Sequence, residues 1–365
     1  MSKFNDTLGG WGGKGSDLRL GLDVGDRQSR WAAMDVPTGE VREGVMTTTP
    51  EGVDECFAEV RGCIVLMEAG THSHWLARKL NELGQRAVVT DPAVLGGGGR
   101  RRRKNDRNDA RELMELARDV GRPRLKELWQ RPEAYQEDLA LMRMRDAAVR
   151  ARTLLANATR GTVKQFGERV DKHSVASLPK FARLALSEQV HGLVEPALEQ
   201  VDALTKTVDR YDTQVAEYLR RRPESERLLQ VHGVGPVTAG VFMAVVGDPK
   251  RFKRSRDVAA YVGLVPGIDQ SGDQDPQLRI SKTGDALARR VLVQCAHYIM
   301  SANGQDSALR RWALSLAGDA KNKARKRRAV VALARRLAVL LHRLWVSGER
   351  YEPLRGVKQE GAQAA

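Results

Sequence analysis

The stretch Leu18-Arg19-Leu20-Gly21-Leu22-Asp23-Val24-Gly25 decides how the chain reads. Its leucines fall on every second residue, the period of a half-buried strand, and the run ends on an acid before a glycine turn. Working outward, residues 31–36 and 41–48 read as two more strands joined by short polar turns. Residues 51–60 read as a helix and 63–67 as a short apolar strand that stops at Glu68. Residues 73–83 form an amphipathic helix, with Trp75, Leu76, Leu80 and Leu83 on one face and Gly84 as its stop. Residues 87–90 give a further strand, ended by Asp91-Pro92. A Gly- and Arg-rich loop, 96–103, precedes a helix over 106–118.

The order β-β-β-α-β-α-β-α is that of the RNase H fold, so residues 18–119 are expected to be α/β of that kind. In that arrangement the first and fourth strands are neighbours and the last helix crosses their ends. Asp23 and Glu68 would then meet Asp106 and Asp109, which lie three apart on one helix face. Oxygen ligands of this sort hold Mg²⁺ or Mn²⁺, and a metal pair stabilises both attacking and leaving oxygens in phosphoryl transfer. Taken singly the acids have plainer readings: Asp106 as a helix cap, Asp23 as a turn residue. Their combination carries the metal-site expectation.

Charge divides the chain. Residues 1–118 hold 18 basic and 18 acidic side chains, so the net charge of +15 falls entirely beyond them. A balanced part beside a basic part suits a carboxylate domain next to one that grips polyanions. No apolar run approaches the roughly 20 residues of a membrane helix. Three cysteines, Cys56, Cys63 and Cys295, give neither a disulfide framework nor zinc-ligand spacing. The expected setting is the bacterial cytoplasm, in association with the nucleoid, without membrane contact. Residues 1–17 and 356–365 read as tails.

Residues 120–225 show long helical periodicity, with Leu139, Met142, Leu154, Leu155, Leu198, Val201, Val208 and Val215 near heptad spacing. Two long helices broken around 166–187 make either a coiled-coil dimerisation region or a hairpin within one protomer. Residues 226–355 are expected to be mainly α-helical. They open on Val231-His232-Gly233-Val234-Gly235-Pro236, which resembles a helix-hairpin-helix motif. There Gly233 and Gly235 would let a nucleic-acid backbone approach freed helix N–H groups, unless the turn is a plain one. Residues 321–336 hold 8 basic residues and no acids. Lys321, Lys323, Arg325, Lys326, Arg327 and Arg328 are therefore candidate phosphate contacts, as are Arg100, Arg101, Arg102, Arg103 and Lys104 of the earlier loop, and Lys282.

In order along the chain, Gly21-Leu22-Asp23-Val24, Met67-Glu68-Ala69-Gly70-Thr71-His72, Val88-Val89-Thr90-Asp91-Pro92 and Lys104-Asn105-Asp106-Arg107-Asn108-Asp109-Ala110 resemble the DEDD transposases of bacterial insertion sequences, a family known as bridge-RNA-guided recombinases. The later runs His232-Gly233-Val234-Gly235, Tyr261-Val262-Gly263-Leu264-Val265-Pro266, Gln270-Ser271-Gly272 and Ile280-Ser281-Lys282-Thr283-Gly284-Asp285 are similar to that family's transposase domain. Asn105 departs from the family's usual threonine. The resemblance implies a RuvC-like catalytic domain, a coiled-coil region and a transposase domain whose serine nucleophile maps onto Ser271. It also implies DNA element ends and target as substrates, a structured bridge RNA as guide, and a homodimer or homotetramer. His72 and His74 have no further ligands at metal spacing and read as surface or supporting residues, and Tyr261 as core. The competing reading is a structure-selective, RuvC-like junction endonuclease that cleaves with metal-activated water. A non-catalytic nucleic-acid-binding protein is disfavoured because all four carboxylates are present.

Overall fold

The computed structural model describes residues 6–9, 11, 17–91, 106–122, 125–171, 173–267, 278–318 and 322–356, apart from the side chains of 106 and 107. The chain divides into two units, Met1–Pro132 and Glu133–Ala365.

The first unit is a mixed five-stranded sheet with helices on both faces. Its elements are β1 (Leu18–Asp23), β2 (Gln28–Asp35), β3 (Val41–Thr47), α1 (Pro50–Cys56), β4 (Ile64–Glu68), α2 (Ser73–Glu82), β5 (Arg86–Thr90) and α3 (Asp106–Ala117). The strand order is β3-β2-β1-β4-β5, with β1 antiparallel to β2 and parallel to β4. This arrangement is compatible with an RNase H-like fold. Alternation sorts the two faces. Leu18, Leu20 and Leu22 of β1 and Val65 and Met67 of β4 join Leu76, Leu80 and Phe57 in one core. Leu66 and Val88 face the other way, onto Leu113 and Ala117 of α3. Thr49 starts α1, its hydroxyl accepting from Gly52 N–H at 3.2 Å, with Pro50 in the first turn. Gly84, at φ +76°, follows the end of α2 in a conformation that disfavours other residues.

Contact between α3 and the sheet is set by one glycine. A β-carbon on Gly21 would lie 2.2 Å from both Ala110 O and Met114 N. The helix backbone therefore rests directly on the middle of β1, with Ala32, Ala110 and Met114 packed beside it. An ion pair from Arg111 to Glu43 holds the same part of the helix to β3.

The second unit is helical. A long hairpin, α4 (Glu133–Gln165) and α6 (Glu188–Arg220), is joined through the short α5 (Leu178–Ala185). Ala156, Val163, Leu178, Ala182, Val190, Val194, Leu198 and Val201 make a core along this hairpin. Each fully buried Val or Leu there contributes about 1.5–3 kcal/mol. Ser187 caps α6 by accepting from Val190 N–H at 3.4 Å. The remaining helices are α7 (Ser225–Leu229), α8 (Pro236–Val246), α9 (Ser255–Tyr261), α10 (Ala286–Ile299), α11 (Ala308–Ala317) and α12 (Lys323–Ser347). Every residue of α8 from Thr238 to Val246 is buried, as an all-round apolar helix must be. It shares a core with Leu139 and Met142 of α4, Val215 of α6, Leu292 of α10 and Leu333 and Leu337 of α12. Cys56 and Cys63 are buried in the first unit and Cys295 in the second. Among the described residues no helix is long and apolar enough to cross a membrane.

Candidate active site and nucleic-acid interface

β1 and β4 run parallel, with Leu22 level with Met67. One step further along the same register, Asp23 stands level with Glu68, each the last residue of its strand. Gly21 faces α3, so Asp23, two residues on, lies on that face too. Leu66 packs on α3, which puts Glu68 on the same side. The two acids therefore occupy neighbouring strand ends on the face that α3 crosses. Both are half-buried and hydrogen-bonded or otherwise engaged. Asp109 is half-buried in the first turn of α3, next to the Ala110 whose carbonyl rests on Gly21. Asp106 opens the same helix, and its side chain lies outside the described residues.

Among the described residues no group of three or more His, Cys, Asp or Glu side chains is gathered closely enough to hold a metal ion. Among the described residues, strand register thus sets Asp23 beside Glu68 and α3 carries Asp109 on the same face of the sheet, without closing a ligand shell. What is placed fits a hard divalent cation in kind: the donors are all carboxylates, without thiol or imidazole among them.

Ser271 falls in 268–277, outside the described residues. The segments on either side of that stretch are joined by backbone bonds. Pro266 bridges Ile280, Gly267 N–H donates to Arg279 O at 2.9 Å, and Ser281 N–H donates to Val265 O at 2.8 Å. The clasp continues below. A β-carbon on Gly263 would lie 2.0 Å from Thr283 O, and one on Gly284 would lie 2.0 Å from Tyr261 O. Arg289 Nη1 donates to Val262 O, Thr283 O and Gly284 O at 3.2, 2.8 and 3.0 Å. Lys282 is exposed in this clasp and takes a left-handed φ of 57°, uncommon for a side chain of its kind.

The Gly-x-Gly turn lies between α7 and α8. Gly233 has φ +89°, and a β-carbon there would meet Ile299 Cγ1 at 2.8 Å. Packing on α10 thus already explains this glycine. Gly235 is different: it is exposed, has open space around it, and precedes α8 with no side chain capping the helix.

Charge gathers at the start of α12. Lys323, Arg325, Lys326, Arg327 and Arg328 are all exposed, and burial begins only at Ala329 and Val330. Asn322 caps the helix through Arg325 N–H at 3.0 Å, while Arg325 Nε donates to Leu316 O at 2.8 Å. Cations at a helix N-terminus oppose the macrodipole, so folding alone does not explain them. Lys321, Arg100, Arg101, Arg102, Arg103 and Lys104 lie outside the described residues.

His72, read from the sequence as a surface or supporting residue, belongs to a local network. Trp75 Nε1–H donates to His72 Nδ1 at 3.0 Å, and His72 Nε2 faces Asp26 Oδ1 at 3.5 Å. The spacing from 72 to 75 was visible as one helical turn. The third partner, in the turn after β1, was not.

Comparison with known proteins adds two family matches in sequence order. Residues 20–167 match a DEDD transposase model of the IS110 type, and residues 225–311 match the transposase IS116/IS110/IS902 family. A probable family 20 transposase of Pseudomonas aeruginosa is 29% identical over 71% of this chain and 78% of its own length. The transposase for insertion sequence element IS1328 of Yersinia enterocolitica is 28% identical over 68% of this chain and 75% of its own. The transposase for insertion sequence element IS1111A of Coxiella burnetii is 28% identical over 80% and 79%. The first match spans Asp23, Glu68, Asp106 and Asp109, and the second spans the Gly-x-Gly turn and Ser271. Two ordered matches on one chain, with relatives aligned over most of its length, support a DEDD insertion-sequence transposase of the IS110/IS116/IS902 type.

Proposed function

We propose that the protein excises and integrates its own insertion element as an RNA-guided, Mg²⁺-dependent serine recombinase. The observation that carries the chemistry is the register of β1 and β4, which sets Asp23 level with Glu68 at neighbouring strand ends on the face that α3 covers. Asp23, Glu68, Asp106 and Asp109 would hold Mg²⁺ or Mn²⁺, which when bound offsets negative charge on the phosphoryl oxygens. Ser271 Oγ attacks the scissile phosphorus: an Oγ–P bond forms, a P–O bond of the strand breaks, and the serine proton is lost. The departing sugar oxygen takes up a proton. The phosphoserine–DNA link keeps a phosphodiester ready for rejoining, which hydrolysis by water would not. The clasp around Gly263, Gly284 and Arg289 supports this role by fixing both ends of the segment that carries Ser271.

Guidance by a structured RNA is supported by the kind of contact that the basic start of α12 offers. Exposed cations on α12 suit phosphates, which position a duplex but carry little sequence information. Base pairing to a bound RNA would supply the specificity, with the protein gripping shape and backbone. The hairpin of α4 and α6 would serve a homodimer or homotetramer acting in the bacterial cytoplasm.

The test is a denaturing gel with Mg²⁺ and the element's end sequences. The native chain should give a denaturation-resistant protein–DNA adduct, and Ser271→Ala should give none. An adduct from Ser271→Ala would remove the serine assignment. Nicking and release by the native chain, with no adduct, would favour a junction-type endonuclease.

A further inference from the structure

One side-chain approach, from His72 to Asp26, spans the loops that leave the two strand-end acids. After Glu68 the chain makes a last ladder bond, Ala69 N–H to Thr90 O at 2.9 Å, and turns into α2. Ser73 closes that turn, its hydroxyl donating to Gly70 O at 2.8 Å. The turn after Asp23 is equally tight: a β-carbon on Gly25 would sit 2.2 Å from Gln28 O. Both turns are short and stiff, so displacing either one displaces the acid before it.

His72 stands at the head of α2 and makes no capping bond with its side chain. Trp75, packed against the sheet's core, donates its indole N–H to His72 Nδ1 at 3.0 Å. An indole N–H only donates, so Nδ1 is the acceptor and the neutral ring carries its proton on Nε2. That nitrogen faces Asp26 Oδ1 at 3.5 Å, in the turn three residues past Asp23. The ring is thus anchored on one side to the core beneath the Glu68 turn and reaches on the other to the Asp23 turn. The Asp26 side chain is 90% exposed and that of His72 30% exposed. Such a pair adds little to global stability.

We infer that His72 is a positioning residue for the carboxylate site, holding the turns after Asp23 and Glu68 at a fixed separation through Trp75 and Asp26. This rests on the reading of Asp23 and Glu68 as metal ligands. The test measures Mn²⁺ binding to the full chain without DNA, by electron paramagnetic resonance, beside the thermal unfolding temperature. His72→Asn keeps an acceptor for Trp75 but is too short to reach Asp26, and Asp26→Ala removes the far end. Both should bind Mn²⁺ about ten-fold more weakly, with unfolding temperatures close to native. Asp26→Asn keeps the acceptor oxygen and should retain native affinity. Native Mn²⁺ affinity in both His72→Asn and Asp26→Ala overturns the proposal. So does an affinity loss that only follows a loss of thermal stability across the variants. Glu68→Gln separates the two readings: if it binds Mn²⁺ as the native chain does, the carboxylate site itself fails and the role of His72 falls with it.

Discussion

At the scale of single residues, the proposed site would depend on carboxylates whose charge matters and on a glycine whose emptiness matters. Replacing Asp23, Glu68, Asp106 or Asp109 by its amide keeps size and loses the charge that would hold a hard cation. Strand cleavage should disappear while DNA affinity, measured by filter binding, stays near native. Full cleavage by Asp106→Asn in Mg²⁺ would remove that residue from the set. Gly21→Ala acts differently. Its methyl group would enter the backbone of α3 at 2.2 Å, so the helix must lift. The expected loss is about 1–3 kcal/mol of stability, typical of overpacking, together with loss of cleavage. Chemical denaturation checks the first and a nicking assay the second. An unchanged midpoint would mean that α3 does not rest on β1 there. The places of Asp23 and Glu68 at strand ends were legible because each ends an apolar run. Gly21 was legible only as part of a strand, since its closeness to Ala110 is a long-range contact. The partnership of His72 with Asp26 was hidden for the same reason, because it joins two turns through space.

At the scale of elements, strands were easiest to read where one face is buried and alternation is enforced, as in Leu18, Leu20 and Leu22. Helix α5 was missed, because its eight residues fall in what reads as a break between two long helices. Helix α12 gives the sharpest element-scale prediction. Its first turns place Lys323, Lys326 and Arg327 on exposed sites against the helix dipole. Changing all three to Gln should raise helix stability, by about 0.3–1 kcal/mol per relieved charge at low salt. The same change should weaken nucleic-acid binding and flatten its salt dependence by up to about 0.9 in log–log slope per lost phosphate contact. Melting curves and binding isotherms at several salt concentrations would check both. A fall in stability together with unchanged binding would make these residues structural.

At the scale of the whole molecule, residues 1–132 and 133–365 each fold around cores of their own. Calorimetry should therefore resolve two unfolding transitions. Gly21→Ala should lower one of them and Leu198→Ala, which opens a cavity in the hairpin core, should lower the other by about 2–5 kcal/mol. One merged transition shifted equally by both variants would contradict this independence. The division into a sheet-bearing part and a helical part was legible from periodicity and from the charge imbalance. The sharing of one core by the base of the hairpin and α8 was not. It depends on Met142 reaching Gly240, where a β-carbon would lie 2.7 Å from the methionine methyl.

The burial of the three cysteines has a practical consequence. Burial pushes the thiols of Cys56 and Cys63 up to about 12, and raises that of Cys295 as well. Thiolate is the reactive form, so near neutral pH these sulfurs are both shielded and chemically quiet. Maleimide dyes should leave the native chain unlabelled and modify all three sites once urea unfolds it. The protein thus serves as its own blank for fluorescence work. One cysteine introduced on an exposed helix position, such as Glu199 of α6, would carry a single dye without first stripping out the natural thiols. Energy transfer between two such singly labelled copies would then report directly whether the hairpins of neighbouring protomers meet.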